Sequence, residues 1–385
     1  METSPGHFIY VHVPFCKQKC SYCDFFTITD PSGMHPLAPV WLELCAREAD
    51  LWVKAGDMDL ARPVQTVFFG GGTPSLLEPK SIESFLRTLR ESFGFLPDVE
   101  ITLETQPDTV DLEKLAAFSA AGINRFSIGV QTFDAATLAQ TGRRHSVQQS
   151  RSTLQAATAT GEVVSLDLIC AWPGQTLDQW MADLEEALSF TPAHISVYEL
   201  TYHEGTLLER DRRAGRVSEL DEQLRISMFE HTRSTLGAEG FEHYEISNYA
   251  RPRMRSLHNQ NYWQLGNYIG LGAGAHSLVF PNRYENPNSA GDYARAIERK
   301  RLFRRLSNTS DPDVFLAENL QMAIRSLDGV DLDWFGKKIG RDVLSQKRSR
   351  IEGLASEGLL ELYGSVLRLT PQGQLRSDSI IGHLL

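Results

Sequence analysis

Three cysteines, Cys16, Cys20 and Cys23, share one short stretch in the run Tyr10-Val-His-Val-Pro-Phe-Cys-Lys-Gln-Lys-Cys-Ser-Tyr-Cys. The spacing C-x-x-x-C-x-x-C places three thiolates on a single loop after an apolar segment and supplies no fourth. An iron–sulfur cube normally takes four cysteine ligands, so a three-cysteine loop leaves one iron open to a substrate or cofactor. Structural zinc is the competing use of soft thiolates, but it wants a closed tetrahedron, commonly built from paired knuckles. No second knuckle exists here; His7 and His12 are the nearby nitrogen donors, and His12 falls inside the apolar segment. Cys45 and Cys170 bring the total to five. An odd count with no secretory leader argues against a disulfide framework and for a reducing, cytoplasmic setting.

The elements that must hold such a loop are legible in the hydrophobic pattern. Strand-like runs at Phe8 to Phe15, Val64 to Phe69, Val99 to Glu104, Arg125 to Gln131, Val163 to Ile169 and His194 to Leu200 alternate with amphipathic stretches. The stretches lie near Val40 to Ala55, Pro79 to Phe93, Leu112 to Ala121, Ala135 to Thr160 and Leu177 to Phe190. This alternation predicts an α/β fold with a parallel sheet and crossover helices. Six such units make an incomplete (β/α)6 TIM-like barrel. In barrels the chemistry sits where strands end and βα loops begin. Gly70-Gly71-Gly72-Thr73-Pro74 follows the second strand, Glu104 ends the third, Gln131 ends the fourth and Asp167 lies near the end of the fifth. A glycine run after a strand is usually a tight turn, yet three in succession also expose backbone polar groups to a ligand.

The cysteine loop, with Tyr22 just before its third cysteine, resembles the signature of the radical S-adenosylmethionine (SAM) superfamily. The resemblance implies a [4Fe-4S] cluster on Cys16, Cys20 and Cys23, its fourth iron chelated by SAM, and one-electron cleavage to a 5′-deoxyadenosyl radical. Gly71, Gly72 and Thr73 match the G-G-x-T-P element that contacts the methionine moiety. Glu104 in Leu-Glu-Thr-Gln-Pro resembles the E-x-N-P or E-x-D-P glutamate, although Gln106 departs from that pattern. Gln131, Arg143 and Asp167 match residues lining the nucleotide site. The doublet Arg143-Arg144 leaves either arginine as the contact. Tyr10 and Tyr22 are expected to flank the cluster, with Tyr22 against adenine.

Further strings, Pro173-Gly174-Gln175-Thr176, Ile195-Ser196-Val197-Tyr198 and His258-Asn259-Gln260-Asn261-Tyr262-Trp263, resemble the HemN/HemW group, and the likeness runs through essentially the whole chain. Ala171-Trp172 replaces the more usual glycine-containing pair. The group holds oxygen-independent coproporphyrinogen III oxidases and heme chaperones of porphyrin metabolism. The oxidases carry another cysteine two positions beyond the third ligand, where this chain has Phe25, and a longer segment before the first cysteine. Both differences point to the chaperones. That branch implies heme as cargo, apo-hemoproteins as recipients, including membrane-bound respiratory enzymes reached by peripheral association, an electron donor for the cluster, and a homodimer. SAM cleavage and enzyme activity stay open, and oxidative decarboxylation to protoporphyrinogen IX is the alternative.

For heme, His258 offers an imidazole nitrogen while Tyr262 and Trp263 offer aromatic surface; the plain alternative is a hydrogen-bonded turn packed by a core tryptophan. His276 is a second ligand candidate. Arg251, Arg253 and Arg255 alternate, so an extended segment would align them toward propionates.

Composition bounds these readings. The chain has 385 residues, 42% hydrophobic and 23% charged, ordinary for a globular protein. Its net charge of −11 argues against general nucleic-acid binding. The expected division is a radical SAM barrel over 1–240, a connecting region with the H-N-x-x-Y-W motif over 241–309, and a winged-helix-like α+β module over 310–385. That module has three helices, then short strands at Leu359 to Leu362 and Val366 to Leu369. Its nine basic and eleven acidic residues lack the stripe of a phosphate reader. Covering or partner docking is the expected use.

Overall fold

The computed structural model describes residues 6–33, 35–59, 61–302, 305–306 and 311–384. Six parallel strands form its centre: β1 (His7–Val13), β2 (Val64–Gly71), β3 (Phe95–Thr105), β4 (Arg125–Gln131), β5 (Val163–Cys170) and β6 (His194–Glu199). They lie side by side in chain order, with helices crossing between them. The chain folds this way because one face of each strand is apolar, while the other face, toward the lumen, carries Thr102, Arg125, Ser165 and Asp167. Ile9, Val11 and Val13 of β1, Val67 and Phe69 of β2, and Leu166 and Leu168 of β5 are all fully buried. Each such side chain contributes about 1.5–3 kcal/mol on leaving water, and only crossover helices can cover them.

The helices carry their own start and stop signals. Ser146 with Gln149 and Thr176 with Gln179 form reciprocal capping boxes, which begin the helices Val147–Ala159 and Leu177–Ser189. Asp111 caps Leu112–Ala120 by accepting from the Lys114 N–H. Trp180 on the fifth crossover helix reaches Thr232 of the helix Glu222–Ala238 through its indole N–H at 2.9 Å. That bond satisfies a donor the apolar layer would otherwise strand.

Three short strands extend the sheet beyond the six expected. Ile269–Leu271 pairs in parallel with β1, Asn248–Ala250 runs antiparallel to β6, and Glu242–His243 pairs with Asn248–Ala250. They occupy both edges of the partial barrel, which blunts the exposed edges of an open sheet. Between them, the helix Leu257–Trp263 carries the H-N-x-x-Y-W motif.

The C-terminal module builds a second core around Leu316, Leu320, Phe335, Ile351 and Leu367. Helices Pro312–Ala323, Leu332–Ile339 and Val343–Ser356 pack on the antiparallel strands Leu360–Tyr363 and Val366–Leu369. A third strand, Val330–Asp331, had no periodic signal and pairs with Val366–Leu369. The result is winged-helix-like. The boundary expected between 309 and 310 lies outside the described residues.

The expected alignment of Arg251, Arg253 and Arg255 is overturned. The segment turns rather than extends, and Arg253 adopts a left-handed φ of 68°. Arg251 stacks on Phe241 with its guanidinium 4.6 Å from the ring centroid. Arg255 donates to Asp328 at 2.6 Å and to Glu242 at 3.1 Å. These two arginines pin neighbouring segments, so the three do not share a face toward a ligand.

Candidate functional site at the barrel mouth

The C-terminal ends of the six strands open on a cavity of about 380 Å³. Cys16, Cys20 and Cys23 line one wall, and all five cysteines of the chain are free thiols. Two short parallel strands, Phe15–Cys16 and Ile28–Thr29, pin the base of the cysteine loop. Inside it, the Cys23 N–H donates to the Cys20 carbonyl at 3.3 Å. The Thr73 hydroxyl donates to Cys16 Sγ at 3.4 Å, and Arg143 Nη1 lies 3.8 Å from Cys20 Sγ. Burial pushes the Cys16 thiol up to about 11, with Thr73 pulling the other way, and burial likewise raises Cys23. Thiols kept protonated by burial become ligands once a metal supplies the compensating charge. Three soft donors on one loop, with a hydroxyl and a guanidinium directed at the sulfurs, fit the [4Fe-4S] group that the motif implies.

The glycines at the end of β2 are required by packing as well as by any ligand. Gly71 has a φ of 107°, and a Cβ there would collide with the His12 ring. A Cβ on Gly72 would approach the Val13 carbonyl to 2.8 Å. Gly71 N–H donates to Glu104 Oε2 at 3.1 Å, tying the glycine turn to the end of β3. Glu104 is pushed up to about 7, first by burial and then by the charge of Asp167, against that N–H. Asp167 is itself raised, chiefly by burial, while accepting from the Ser127 hydroxyl at 2.9 Å. Two half-buried carboxylates therefore face one cavity with cationic or hydroxyl-rich chemistry to gain.

Gln131 ends β4 in a left-handed conformation, φ 72°, beside a register irregularity in its pairing with β5. A non-glycine residue held there costs on the order of 1–2 kcal/mol, and such a bulge re-aims a side chain at a strand end. Ala171, at φ 64°, holds the same strained region just after β5. It belongs to the Ala171-Trp172 pair, and its backbone takes a shape that glycine adopts most readily.

The arginine doublet separates. Arg143 lines the cavity and donates to the Gly129 carbonyl at 2.9 Å, whereas Arg144 faces Asp108 at 3.7 Å outside the cavity lining. Tyr22 lines the cavity and meets Trp172 edge-on at 5.3 Å. Tyr10 does not line it. Its ring stacks against Phe68 at 6.1 Å and its hydroxyl pairs with His12 at 3.0 Å, inside a second cavity of about 220 Å³ nearer the strands' N-terminal ends.

The H-N-x-x-Y-W helix closes that second cavity from below. His258 is 1% exposed and bonded at both ring nitrogens, Nδ1 to Thr66 Oγ1 at 2.6 Å and Nε2 to Tyr262 Oη at 2.9 Å. Its backbone N–H donates to Glu100 at 3.0 Å. Burial pushes its imidazolium down to about 3, so the ring is neutral. Both ring nitrogens are thus spent on protein partners, the hydrogen-bonded turn that is the plain alternative to a heme ligand. Trp263 points the other way, under the guanidinium of Arg325 from the C-terminal module at 4.8 Å. The motif rivets the module to the barrel floor. His276, by contrast, is exposed at the start of the strand His276–Val279.

Sequence reading missed several cavity residues, among them His203 and Ser127, and gave Tyr198 no site role. His203 follows β6 directly, so the rule that βα loops carry function pointed at it without any motif.

Comparison with known proteins agrees with this architecture. Residues 10–187 match the Radical SAM superfamily and residues 311–376 match the HemN C-terminal domain. The heme chaperone HemW of Mycobacterium tuberculosis is 33% identical over 379 residues, covering 98% of this chain and 94% of the relative. That of Bacillus subtilis is 32% identical over 381 residues, covering 98% of each. The structure of the Escherichia coli coproporphyrinogen III oxidase HemN superposes with a TM-score of 0.81 over 99% of this chain and 90% of its own, at 21% identity, a likeness of fold. The chain belongs to the HemN/HemW group of the radical SAM superfamily.

Proposed function

We propose that the protein is a heme chaperone of the radical SAM type, which binds heme and passes it to apo-hemoproteins. The observation that carries the reading is the convergence of three free cysteines with Gly72, Glu104, Gln131, Arg143 and Asp167 around one cavity. It is joined by Phe25 at the position where the oxidases place another cysteine. Relatives named as heme chaperones support the same choice.

In this reading Cys16, Cys20 and Cys23 hold the [4Fe-4S] cluster and the cavity holds SAM. When bound, the pair supplies one-electron cleavage chemistry. The protein's part is positional. Thr73 and Arg143 direct a hydroxyl and a positive charge at the thiolate sulfurs, favouring the anionic ligand set. The glycine turn brings bare backbone to the methionyl end. Glu104, tethered to Gly71, would accept from ammonium or ribose donors, and Tyr22, backed by the buried Trp172, would offer an aromatic wall to the base. Heme is cargo, and its recipients include membrane-bound respiratory enzymes. A peripheral membrane contact fits that role, since no helix among the described residues is long and apolar enough to cross a membrane. A cytoplasmic setting, an external electron donor, a homodimer and the absence of a nucleic-acid partner complete the proposal. So does the division into a barrel over 1–240, a connecting region over 241–309 and a docking module over 310–385.

The test is anaerobic reconstitution followed by mixing of heme-loaded protein with an apo-hemoprotein. Appearance of holo-hemoprotein faster than from free heme is expected. Decarboxylation of coproporphyrinogen III by the same preparation would instead establish the oxidase.

A further inference from the structure

We propose that heme docks across the mouth of the barrel and that His203 supplies an axial ligand to its iron. This inference rests on the heme-binding reading above and names the site. His203 lies in the loop after β6, with 47% of its side chain exposed, and its Nδ1 is 3.5 Å from Asp24 Oδ2. Asp24 directly follows the third cysteine, so the contact joins the last βα loop to the cysteine loop. A carboxylate beside Nδ1 leaves Nε2 as the ring nitrogen available to a metal. Metal-ligating histidines are commonly held this way. His258 lacks this arrangement, being enclosed and bonded through both nitrogens.

The surface beside His203 suits a flat aromatic disc. Phe25 is 57% exposed and Tyr198 43% exposed, and both line the cysteine cavity along with Leu200 and Ile169. Large aromatic side chains left open to water around one opening mark a binding face for an apolar partner. In the reading above, the cavity of about 380 Å³ holds cluster and nucleotide. The macrocycle therefore lies over the opening, with one face on Phe25 and Tyr198 and the other turned to solvent. A disc held by one imidazole and open on its far face can be taken up by a recipient that offers its own ligand.

Ferric heme titrated into full-length, cluster-reconstituted protein under anaerobic conditions tests the site by Soret absorption. His203→Ala is expected to weaken binding at least about tenfold, the scale of losing one specific bond. The spectral signature of histidine ligation disappears with it, and added imidazole restores that signature. Asp24→Asn, which keeps the shape and removes the charge, is expected to weaken binding about two- to threefold, within the range typical of an outer partner acting through the ligand. Because His203 is half exposed, its loss leaves the fold and the iron content intact, and both are measured alongside. Heme binding by His203→Ala with unchanged affinity and spectrum overturns the site alone. Failure of the wild type to bind heme at all overturns the chaperone reading and the site together.

Discussion

The two ends of the barrel use histidine and tyrosine in opposite ways. At the floor, His258 is wedged between Thr66 and Tyr262 with both nitrogens bonded, and Glu100 accepts from its backbone. At the mouth, His203 touches one carboxylate and Tyr198 stands open to water. At the floor both nitrogens of the motif histidine are spent on protein partners, so it fixes the helix to the sheet. The mouth leaves donors and acceptors unspent, so it has something to offer a ligand. A residue's type therefore says less about its task than the number of its hydrogen-bonding positions already taken.

Four substitutions separate the two ends, beginning with the largest effect. Cys20→Ser at the mouth is expected to abolish cluster assembly, seen as loss of bound iron and sulfide and of the visible charge-transfer absorption, with the fold preserved by circular dichroism. Retention of a full cluster would remove the mouth from the chemistry. His258→Ala at the floor should do the reverse. It strands the Thr66 and Tyr262 hydroxyls and opens a void, costing about 2–4 kcal/mol in denaturant unfolding. Heme affinity should stay within about twofold, since in this account the ring is no iron ligand. A selective loss of heme affinity with stability unchanged would reverse the roles assigned to the two ends.

Glu104 gives a pH dependence of intermediate size. Its carboxyl titrates near 7 in the folded chain, against 4.5 when unperturbed, so only the fraction ionised can accept from the nucleotide. SAM affinity should rise by up to about tenfold between pH 6 and pH 8, measured by equilibrium dialysis, and Glu104→Gln should flatten the profile. The sign for stability is opposite. The folded state holds this proton more tightly than the unfolded state, so the contribution is full below about 4.5 and is lost as pH rises to about 7. The smallest effect belongs to Arg255→Ala. It breaks surface pairs with Glu242 and Asp328, worth about 1 kcal/mol or less, and should leave heme binding unchanged. A large loss of heme affinity there would revive the propionate contact that the turn geometry removes.

Much of this was written in local pattern. The six parallel strands fall within a few residues of their apolar runs, because alternate positions of each strand are apolar toward the covering helices. The placement of Glu104, Gln131, Asp167 and the glycine turn around one cavity follows from their positions at strand ends. Other features were beyond local pattern. Ile269–Leu271 and Asn248–Ala250 are three residues each, too short for any period to show, and exist because the sheet edges need partners. Tyr10 precedes the cysteines in sequence, yet alternation along β1 turns it into the lumen with Phe68. The arginines at 251, 253 and 255 have the spacing of a strand, but the left-handed turn at Arg253 scatters them. His258 fits a ligand by type and motif, and only its three-dimensional surroundings show its nitrogens spent.

The central claim is that three cysteines grip a cluster whose remaining iron is left for the nucleotide. Electron paramagnetic resonance of the dithionite-reduced, reconstituted protein with and without SAM tests it directly. The account predicts a [4Fe-4S]+ signal whose g-values shift when SAM is added, and no such signal from Cys20→Ser, where no cluster forms. A signal from intact wild-type cluster that is indifferent to SAM, or a sample that holds zinc in place of iron after anaerobic purification, would contradict it.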